Sequence, residues 1–493
     1  MAHASGTAID GLMHADFTHA ASQVRYRIYD ENGKAWLSFE RPGDPAVRGK
    51  RELLYYVGSG RRGRSYVFAD DGFLFESPIN WYANRRVWDL VPAYGNSREI
   101  PLNLPVYTSC LHCHVSGMKP PETGTENKYP IPAFIQAGVG CERCHGPGEA
   151  HLRGGAIINP AKLSPERRDG VCMQCHLEGK VAIERPGRHE YQFQAGEDLA
   201  DYVRYFVLNG SQSGLGAVSQ FEAFAQSTCK KKSGNSMSCM SCHDPHSSPT
   251  ATERADYYRG KCLACHGAAF GKNHQPETPD CTSCHMPSSL STDIAHTEVT
   301  DHRILRRPEV APQLLQPIPE VGKPRLVPFP ASEKTDARDE ALAWESVVES
   351  GMTTAEPMAE QALRTALRTS PEDPAVLSAL GYIAQRQGAT ESAQALYQKA
   401  LAIDPTLVDA ATNLAVIDAK VGHLQEAVKL WQGAFERAPY RSGIGMNLAK
   451  TFCETKQYNA ARDYVLRVLE FNPDLSSAKE LLNRLNSSSP SCQ

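Results

Sequence analysis

The 493-residue chain is long enough for roughly two to four domains. Its 41% hydrophobic and 22% charged residues are typical of a globular protein, and no run of about 18 apolar residues is present that could cross a membrane. The net charge of -4 and a longest basic run of only three residues, Lys230–Lys232, argue against nucleic-acid binding.

Residues 1–104 form a β-rich region, which we expect to fold as a small antiparallel sheet. The alternating segments Val24–Tyr29 and Ala35–Phe39 flank Asn32–Gly33, and Asn-Gly between alternating runs is a strong hairpin signal. Further strand candidates are Glu52–Val57 and Ser65–Phe75, the latter broken by a predicted turn at Asp70–Gly72.

Residues 105–302 contain the pentapeptide Cys-x-x-Cys-His six times. Two thiols at this spacing can each bond one vinyl group of the same haem, and the adjacent histidine then faces the iron as proximal ligand. The cysteines are Cys110, Cys113, Cys141, Cys144, Cys172, Cys175, Cys239, Cys242, Cys262, Cys265, Cys281 and Cys284. The proximal histidines are His114, His145, His176, His243, His266 and His285.

Zinc binding and disulfide formation are the alternatives for these motifs. A structural zinc site draws about four ligands from paired motifs. Neither zinc nor a disulfide requires a histidine directly after the second cysteine in every copy. The pattern therefore predicts six covalently attached c-type haems with iron. The long gap between the third and fourth motifs contains Leu199–Leu208, which we predict to be a helix.

The second axial ligand of each iron decides the chemistry. A haem closed by two histidines passes electrons, whereas an open sixth position lets iron bind a small molecule. His14 and His189 are alternatives, and the histidines could also be too few to close all six haems. The preferred distal set is His19 from the β-rich region with His151, His246, His274, His296 and His302.

Residues 303–335 are predicted to be a linker, because seven prolines in this stretch resist a helix or a central strand. Residues 336–487 then repeat with a 34-residue period, which is typical of the tetratricopeptide repeat. We expect four repeats and a terminal helix, Leu475–Leu485. The period is visible in Pro371, Pro405, Pro439 and Pro473, and in Ala359, Ala393, Ala427 and Ala461.

Three cysteines lie outside the motifs, so disulfides are not the main use of cysteine in this chain. Cys229 precedes three lysines and is either a bystander or a thiol whose pKa the ammonium groups lower. The other two are Cys453 and Cys492. C-type haem attachment predicts a periplasmic or extracellular location, although residues 1–10 show no signal-peptide pattern.

The segments Gly138–His151, Ser241–His246 and Cys284–Pro287 resemble multihaem c-type cytochromes, the group related to the tetrahaem electron carriers of nitrification and to hydroxylamine-oxidising and nitrite-reducing enzymes. The resemblance covers about residues 105–305, and some members carry tetratricopeptide repeats after the cytochrome part. It implies closely packed haem pairs, mainly bis-histidine ligation and an extracytoplasmic location. Catalytic relatives often replace a proximal histidine or add a cross-linking tyrosine; all six motifs are intact here.

We therefore expect a multidomain protein with a small antiparallel β domain, a largely irregular and helical region packed around haems, and a C-terminal α-solenoid. The predicted function is electron transfer through mostly bis-histidine haems, with the repeats docking redox partners or sister subunits, and a homo-oligomer is possible. The alternative is an oxidoreductase acting on a small nitrogen or sulfur compound at one open haem. A third reading is a repeat scaffold with incidental haems.

Overall fold

A computed structural model describes residues 5–94, 99–100, 102–209, 215–267, 280–291, 294, 297–306, 324–331 and 336–492. An antiparallel sheet comes first, short helices carrying the motifs follow, and a helical repeat array ends the chain. The expected β-rich start and α-solenoid end are confirmed. In the described residues no helix has the length and apolar character needed to span a bilayer.

The N-terminal sheet has nine strands, all antiparallel to their neighbours. The hairpin predicted at Asn32–Gly33 is present, because Glu31 pairs with Lys34 and both turn residues have positive φ angles of 56° and 74°. The strands are β1 Ser5–Thr7, β2 Ala15–Thr18, β3 Arg25–Glu31, β4 Lys34–Arg41, β5 Asp44–Val57, β6 Gly63–Asp70, β7 Phe73–Glu76, β8 Ile79–Tyr82 and β9 Val87–Leu90.

Short helices carry the motifs, except for the fourth, which begins on a 3₁₀ turn at Cys239–Ser241. One helical turn is the natural conformation for them, since residues three and four apart share one face of a helix. The helices are α1 Thr108–His114, α2 Glu142–His145, α3 Glu149–Leu152, α4 Pro165–His176, α5 Gln220–Gln226, α6 Thr228–Ser233, α7 Arg254–His266 and α8 Cys281–His285. The strands of this region are β10 Val115–Met118, β11 Phe134–Ala137, β12 Val181–Glu184, β13 Val203–Asn209, β14 Ser288–Leu290 and β15 Glu298–Thr300.

The helix predicted at Leu199–Leu208 is wrong. Only Leu199–Asp201 is helical, as a single 3₁₀ turn, and the following residues form β13. Valine, tyrosine and phenylalanine favour strands, and pairing with β12 on one side and β16 (Arg325–Phe329) on the other decides the outcome. The strand β16 lies inside the predicted linker, at a sheet edge where prolines are tolerated.

The C-terminal array consists of four helix pairs and a terminal helix, as the 34-residue period predicts. Only glycine fits at Gly381, because a Cβ there would lie 2.8 Å from the ring of Tyr397 in the partner helix. The helices are α9 Ala337–Glu349, α10 Glu356–Thr369, α11 Pro374–Arg386, α12 Thr390–Ile403, α13 Val408–Lys420, α14 Leu424–Arg437, α15 Ser442–Glu454, α16 Tyr458–Phe471 and α17 Ser476–Leu485.

The repeat array contacts both other parts of the chain. At its C-terminal end, the ring of Phe75 in the sheet packs against Tyr440 and Phe471, with centroids 5.6 and 5.4 Å apart. At its N-terminal end, α9 packs on the sheet formed by β12, β13 and β16, where Phe206 is fully buried against Trp344 and its neighbours. The array therefore packs against the N-terminal sheet in one hydrophobic cluster and against the motif region in another.

Candidate haem centres

Each described motif places its two thiols and its histidine on neighbouring positions of one helical turn. In the second motif the His145 amide donates to the Cys141 carbonyl at 2.9 Å, and in the fourth the His243 amide donates to Cys239 at the same distance. This bond sets the histidine one turn after the first cysteine. The local geometry thus presents one haem-binding unit per motif.

The donor set fits haem better than a bare metal ion. The thiols are exposed or half-buried and can be reached by a large planar group. Across the residues that the structure describes, no three His, Cys, Asp or Glu side chains converge on one point. Haem iron needs only two protein ligands, because its macrocycle fills the other positions.

Several proximal imidazoles are held through Nδ1. A carbonyl acceptor forces Nδ1 to carry the proton, which leaves Nε2 free to bind iron and orients the ring. The Nδ1 contacts are His145 with the Ile158 carbonyl at 2.7 Å, His285 with the Leu305 carbonyl at 2.6 Å, His176 with Gln220 Oε1 at 3.0 Å and His243 with the Tyr258 hydroxyl at 3.2 Å.

Two predicted distal histidines lie beside proximal ones, with their rings stacked. The ring centroids of His145 and His246 are 5.8 Å apart with planes inclined by 12°, and those of His243 and His302 are 6.3 Å apart and inclined by 29°. Two imidazoles on opposite sides of one metal, with metal–nitrogen bonds of about 2 Å, have centroids roughly 6 Å apart. His302 is further held by its Nδ1 contact with the Thr300 carbonyl at 2.9 Å.

Among the described residues, the other two predicted distal histidines, His151 and His19, do not stack on a proximal ring. His151 is exposed on α3, with Nδ1 3.2 Å from the Gly155 carbonyl. His19 is buried in the N-terminal sheet, where its Nδ1 is 2.9 Å from the Ser22 hydroxyl. Its ring also packs near Phe17. His274 and His296 lie outside the described residues.

A junction of the first three motifs was not foreseen from the sequence. The Arg143 guanidinium donates to the His112 carbonyl at 2.7 Å, and the Gln174 amide donates to the Arg143 carbonyl at 3.2 Å. These residues occupy the variable positions between the cysteines, where spacing carries no signal. Burial, and then the charge of Arg143, lower the pKa of His112 to about 3, so its imidazole is neutral.

Thiols of different motifs also influence one another electrostatically. Cys175 of the third motif raises the pKa of Cys113 in the first. Cys239 of the fourth motif raises the pKa of Cys172 in the third, and burial, then Cys281 of the sixth, raise the pKa of Cys262 in the fifth. The third motif is therefore a neighbour of the first and of the fourth, and the fifth is a neighbour of the sixth.

Glu190 and Tyr205 lie beside this junction. The Tyr205 hydroxyl donates a hydrogen bond to the Glu190 carboxylate, and burial raises the pKa of Glu190 to about 7. The turn that begins at Glu190 packs on α1, so this acid lies near the first and third motifs. Nothing in the sequence pattern pointed to it.

The cysteines outside the motifs behave differently from one another. Burial raises the pKa of Cys229, so the hypothesis of a thiol activated by the neighbouring lysines is wrong. Cys453 and Cys492 form a disulfide that joins α15 to the C-terminal tail across 39 residues. Sequence spacing gave no reason to pair them, since their contact depends on how the last repeat folds.

Known proteins resemble the chain in two separate regions. The family model for cytochrome c554 and c-prime matches residues 97–146, and a tetratricopeptide repeat model matches residues 375–407. The multiheme cytochrome MtrA of Shewanella baltica (strain OS185) is 27% identical over 192 residues, which are 34% of this chain and 56% of that protein. This chain therefore spans only about half the length of that relative.

Similar solved structures each cover about 30% of this chain. The Pseudomonas aeruginosa pilF structure is 21% identical over 31% of this chain and 69% of its own, with a TM-score of 0.28. A MamA structure is 15% identical over 29% of this chain and 85% of its own, with a TM-score of 0.25. Such low overlap carries no argument about function.

The motifs and the sequence matches together define a class of redox protein: the chain is a multihaem c-type cytochrome that carries tetratricopeptide repeats. Its cofactor is covalently bound c-type haem. Within that class, the matched family is that of cytochrome c554 and c-prime, to which residues 97–146 are similar.

Proposed function

We propose that this protein is a hexahaem cytochrome that transfers electrons along a chain of mostly bis-histidine haems. The observation that carries the proposal is the junction of the first three motifs, where Arg143 donates to the His112 carbonyl at 2.7 Å and its own carbonyl accepts from Gln174 at 3.2 Å. Because each haem would be tethered at its own motif, motifs in contact would bring their haems close together. When bound, the haems supply one-electron redox chemistry.

The ring pairs support two axial assignments. His246 would serve with His145 as a ligand of the haem of the second motif, and His302 with His243 for that of the fourth. Each distal residue comes from a later segment of chain, so haem binding ties separate segments together. For the remaining four haems the proposal draws on His19, His151, His274 and His296, of which His19 has the least support because its contacts are inside the sheet.

The proposed location is the periplasm or the cell exterior. C-type haem is attached outside the cytoplasm, and the disulfide between Cys453 and Cys492 is of the kind that persists in an oxidising compartment. The repeat array is proposed to dock a redox partner or a sister subunit, including a second copy of this chain, because helical repeats present extended binding surfaces. Part of that array is already used to hold the N-terminal sheet.

Haem counting and spin state test this proposal. Mass spectrometry of the intact holoprotein is expected to show six attached haems, and electron paramagnetic resonance to show only low-spin ferric signals. A smaller number of haems contradicts the six-haem assignment. A high-spin signal, with carbon monoxide binding by the reduced protein, would favour the alternative of a small-molecule oxidoreductase.

A further inference from the structure

We propose that Arg143 is a positioning residue for electron transfer: its guanidinium holds the second motif against the first, its carbonyl accepts from the third, and its fixed positive charge raises the reduction potentials of the haems attached there. This inference rests on the proposed electron-transfer function. It adds that the haems of the first three motifs are the ones whose reduction potentials are raised, so that electrons are held there preferentially. It concerns a residue between the two cysteines of a motif, a position that haem attachment itself leaves free.

The contacts place Arg143 at the centre of the junction. Its Nη2 donates to the His112 carbonyl at 2.7 Å and lies 3.1 Å from both ring nitrogens of that histidine. Its own carbonyl accepts from Gln174 Nε2 at 3.2 Å. The Cys113 thiol in turn lies 3.6 Å from the Gln174 carbonyl, which closes the triangle of three motifs. His112 and Gln174 are almost fully buried, with exposed fractions of 1% and 4%.

The charge on Arg143 is permanent, because a guanidinium does not lose its proton in proteins. In the described part of the chain no carboxylate lies within 4.0 Å of it. Its charge does reach the Glu190 carboxyl, whose pKa burial raises to about 7. Its positive charge acts on the thiols of Cys113, Cys144 and Cys175, one in each of the three motifs.

A positive charge near ferric haem destabilises the oxidised form more than the reduced form, because reduction removes one positive charge from the iron. The interaction is strong where water is excluded and weak where water screens it. The half-buried Arg143 beside the buried His112 is therefore well placed to raise the potentials of the neighbouring haems.

The test compares Arg143→Gln, Arg143→Lys and a control, Arg153→Gln. Arg153 lies ten residues further along the chain, its side chain is 70% exposed, and it pairs with Glu149 at 2.9 Å. Redox potentiometry of each intact holoprotein, followed by haem absorbance and electron paramagnetic resonance, gives the potentials. We expect Arg143→Gln to lower up to three of them by about tenfold in the one-electron equilibrium constant, or about 59 mV.

Lysine keeps the positive charge but cannot make the planar contacts of arginine. Arg143→Lys is therefore expected to keep the potentials close to those of the unmodified protein, and Arg153→Gln is expected to leave them unchanged. The inference is overturned if Arg143→Gln keeps six haems and its potentials are unchanged. It is also overturned if Arg143→Lys lowers the potentials as much as Arg143→Gln does, because lysine keeps the charge. Should Arg143→Gln lose haem, Gln174→Glu adds a negative charge at the same junction. It must lower the same potentials, and a lack of effect overturns the inference. A wild-type haem count below six contradicts the six-haem function instead.

Discussion

At the scale of single residues, the proximal histidines are specified by a local motif, whereas the distal histidines depend on tertiary contacts. Each proximal histidine is set by its own motif, so its role follows from five consecutive residues. His246 and His302 reach the rings of His145 and His243 only because separate segments fold together. A local pattern can nominate such a residue, but it cannot say which iron that residue closes.

The replacement His302→Ala is expected to open one haem. Removing the ring opposite His243 leaves that iron without its sixth ligand. Electron paramagnetic resonance should gain one high-spin signal, and the reduced protein should bind one equivalent of carbon monoxide. His423→Ala, on an exposed residue of the repeat array, is the control and should change neither. Wholly low-spin spectra in His302→Ala would contradict the assignment.

At the scale of elements, tertiary pairing decides where propensity is ambiguous. Val203–Asn209 is a strand because β12 and β16 flank it on both sides. The repeat helices were easier to predict, since their 34-residue period and small residues are dictated by the packing of each helix pair. The 34-residue period does not reveal that the carboxyl groups of Glu345 and Glu349, one turn apart on α9, interact with each other.

The pair of Glu345 and Glu349 is expected to make the stability of the repeat array depend on pH. Burial, and then the charge of Glu349, raise the pKa of Glu345 to about 8, from 4.5 in the unfolded chain. The folded state then binds more protons between these values, so the free energy of unfolding falls as pH rises through that window. Glu345→Gln should flatten this fall in denaturation curves at a series of pH values.

The exposed Glu426→Gln serves as the matched control for that experiment and should leave the pH dependence unchanged. If the curves of Glu345→Gln and the unmodified protein stay parallel from pH 5 to about 8, the carboxyl pair does not titrate as inferred.

The disulfide of the last repeat is expected to contribute to its stability. Cys453→Ser should lower the free energy of unfolding by about 3–4 kcal/mol, because the bond closes a 39-residue loop. Chemical denaturation followed by circular dichroism measures the change. Cys229→Ser, at a thiol outside the repeats, is the control. Equal midpoints for Cys453→Ser and the unmodified protein under oxidising conditions would show that the bond does not form.

At the scale of the whole molecule, the repeat array is a support for its own chain as well as a candidate docking surface. Its last repeat holds the N-terminal sheet through Asp474, which accepts from Arg41 on β4 and from Lys479 at 2.8 Å. The loop between its third and fourth repeats approaches the segment before the second motif, where the Tyr440 hydroxyl donates to Glu126 at 3.0 Å. Sheet, haem region and repeats therefore share their stability.

Breaking the contact at Asp474 is expected to loosen the sheet from the array. Asp474→Asn removes charge from a nearly buried group bonded to two cations, so we expect a loss of about 2 kcal/mol. Asp16→Asn breaks the exposed pair with Arg25 and should cost less than about 1 kcal/mol. Thermal unfolding and hydrogen exchange at the sheet measure both. Equal effects of the two variants would contradict a structural role for this interface.

The sequence by itself determined the cofactor class, the number of attachment motifs, the proximal histidines and the helical repeats. These features depend on residues close together in the chain or spaced at a constant period. Only the tertiary structure decided the pairing of His246 with His145, the junction around Arg143, the strand at Val203–Asn209 and the disulfide of the last repeat. Each of these joins residues far apart in sequence, and their contact depends on how separate segments pack, which no local pattern encodes.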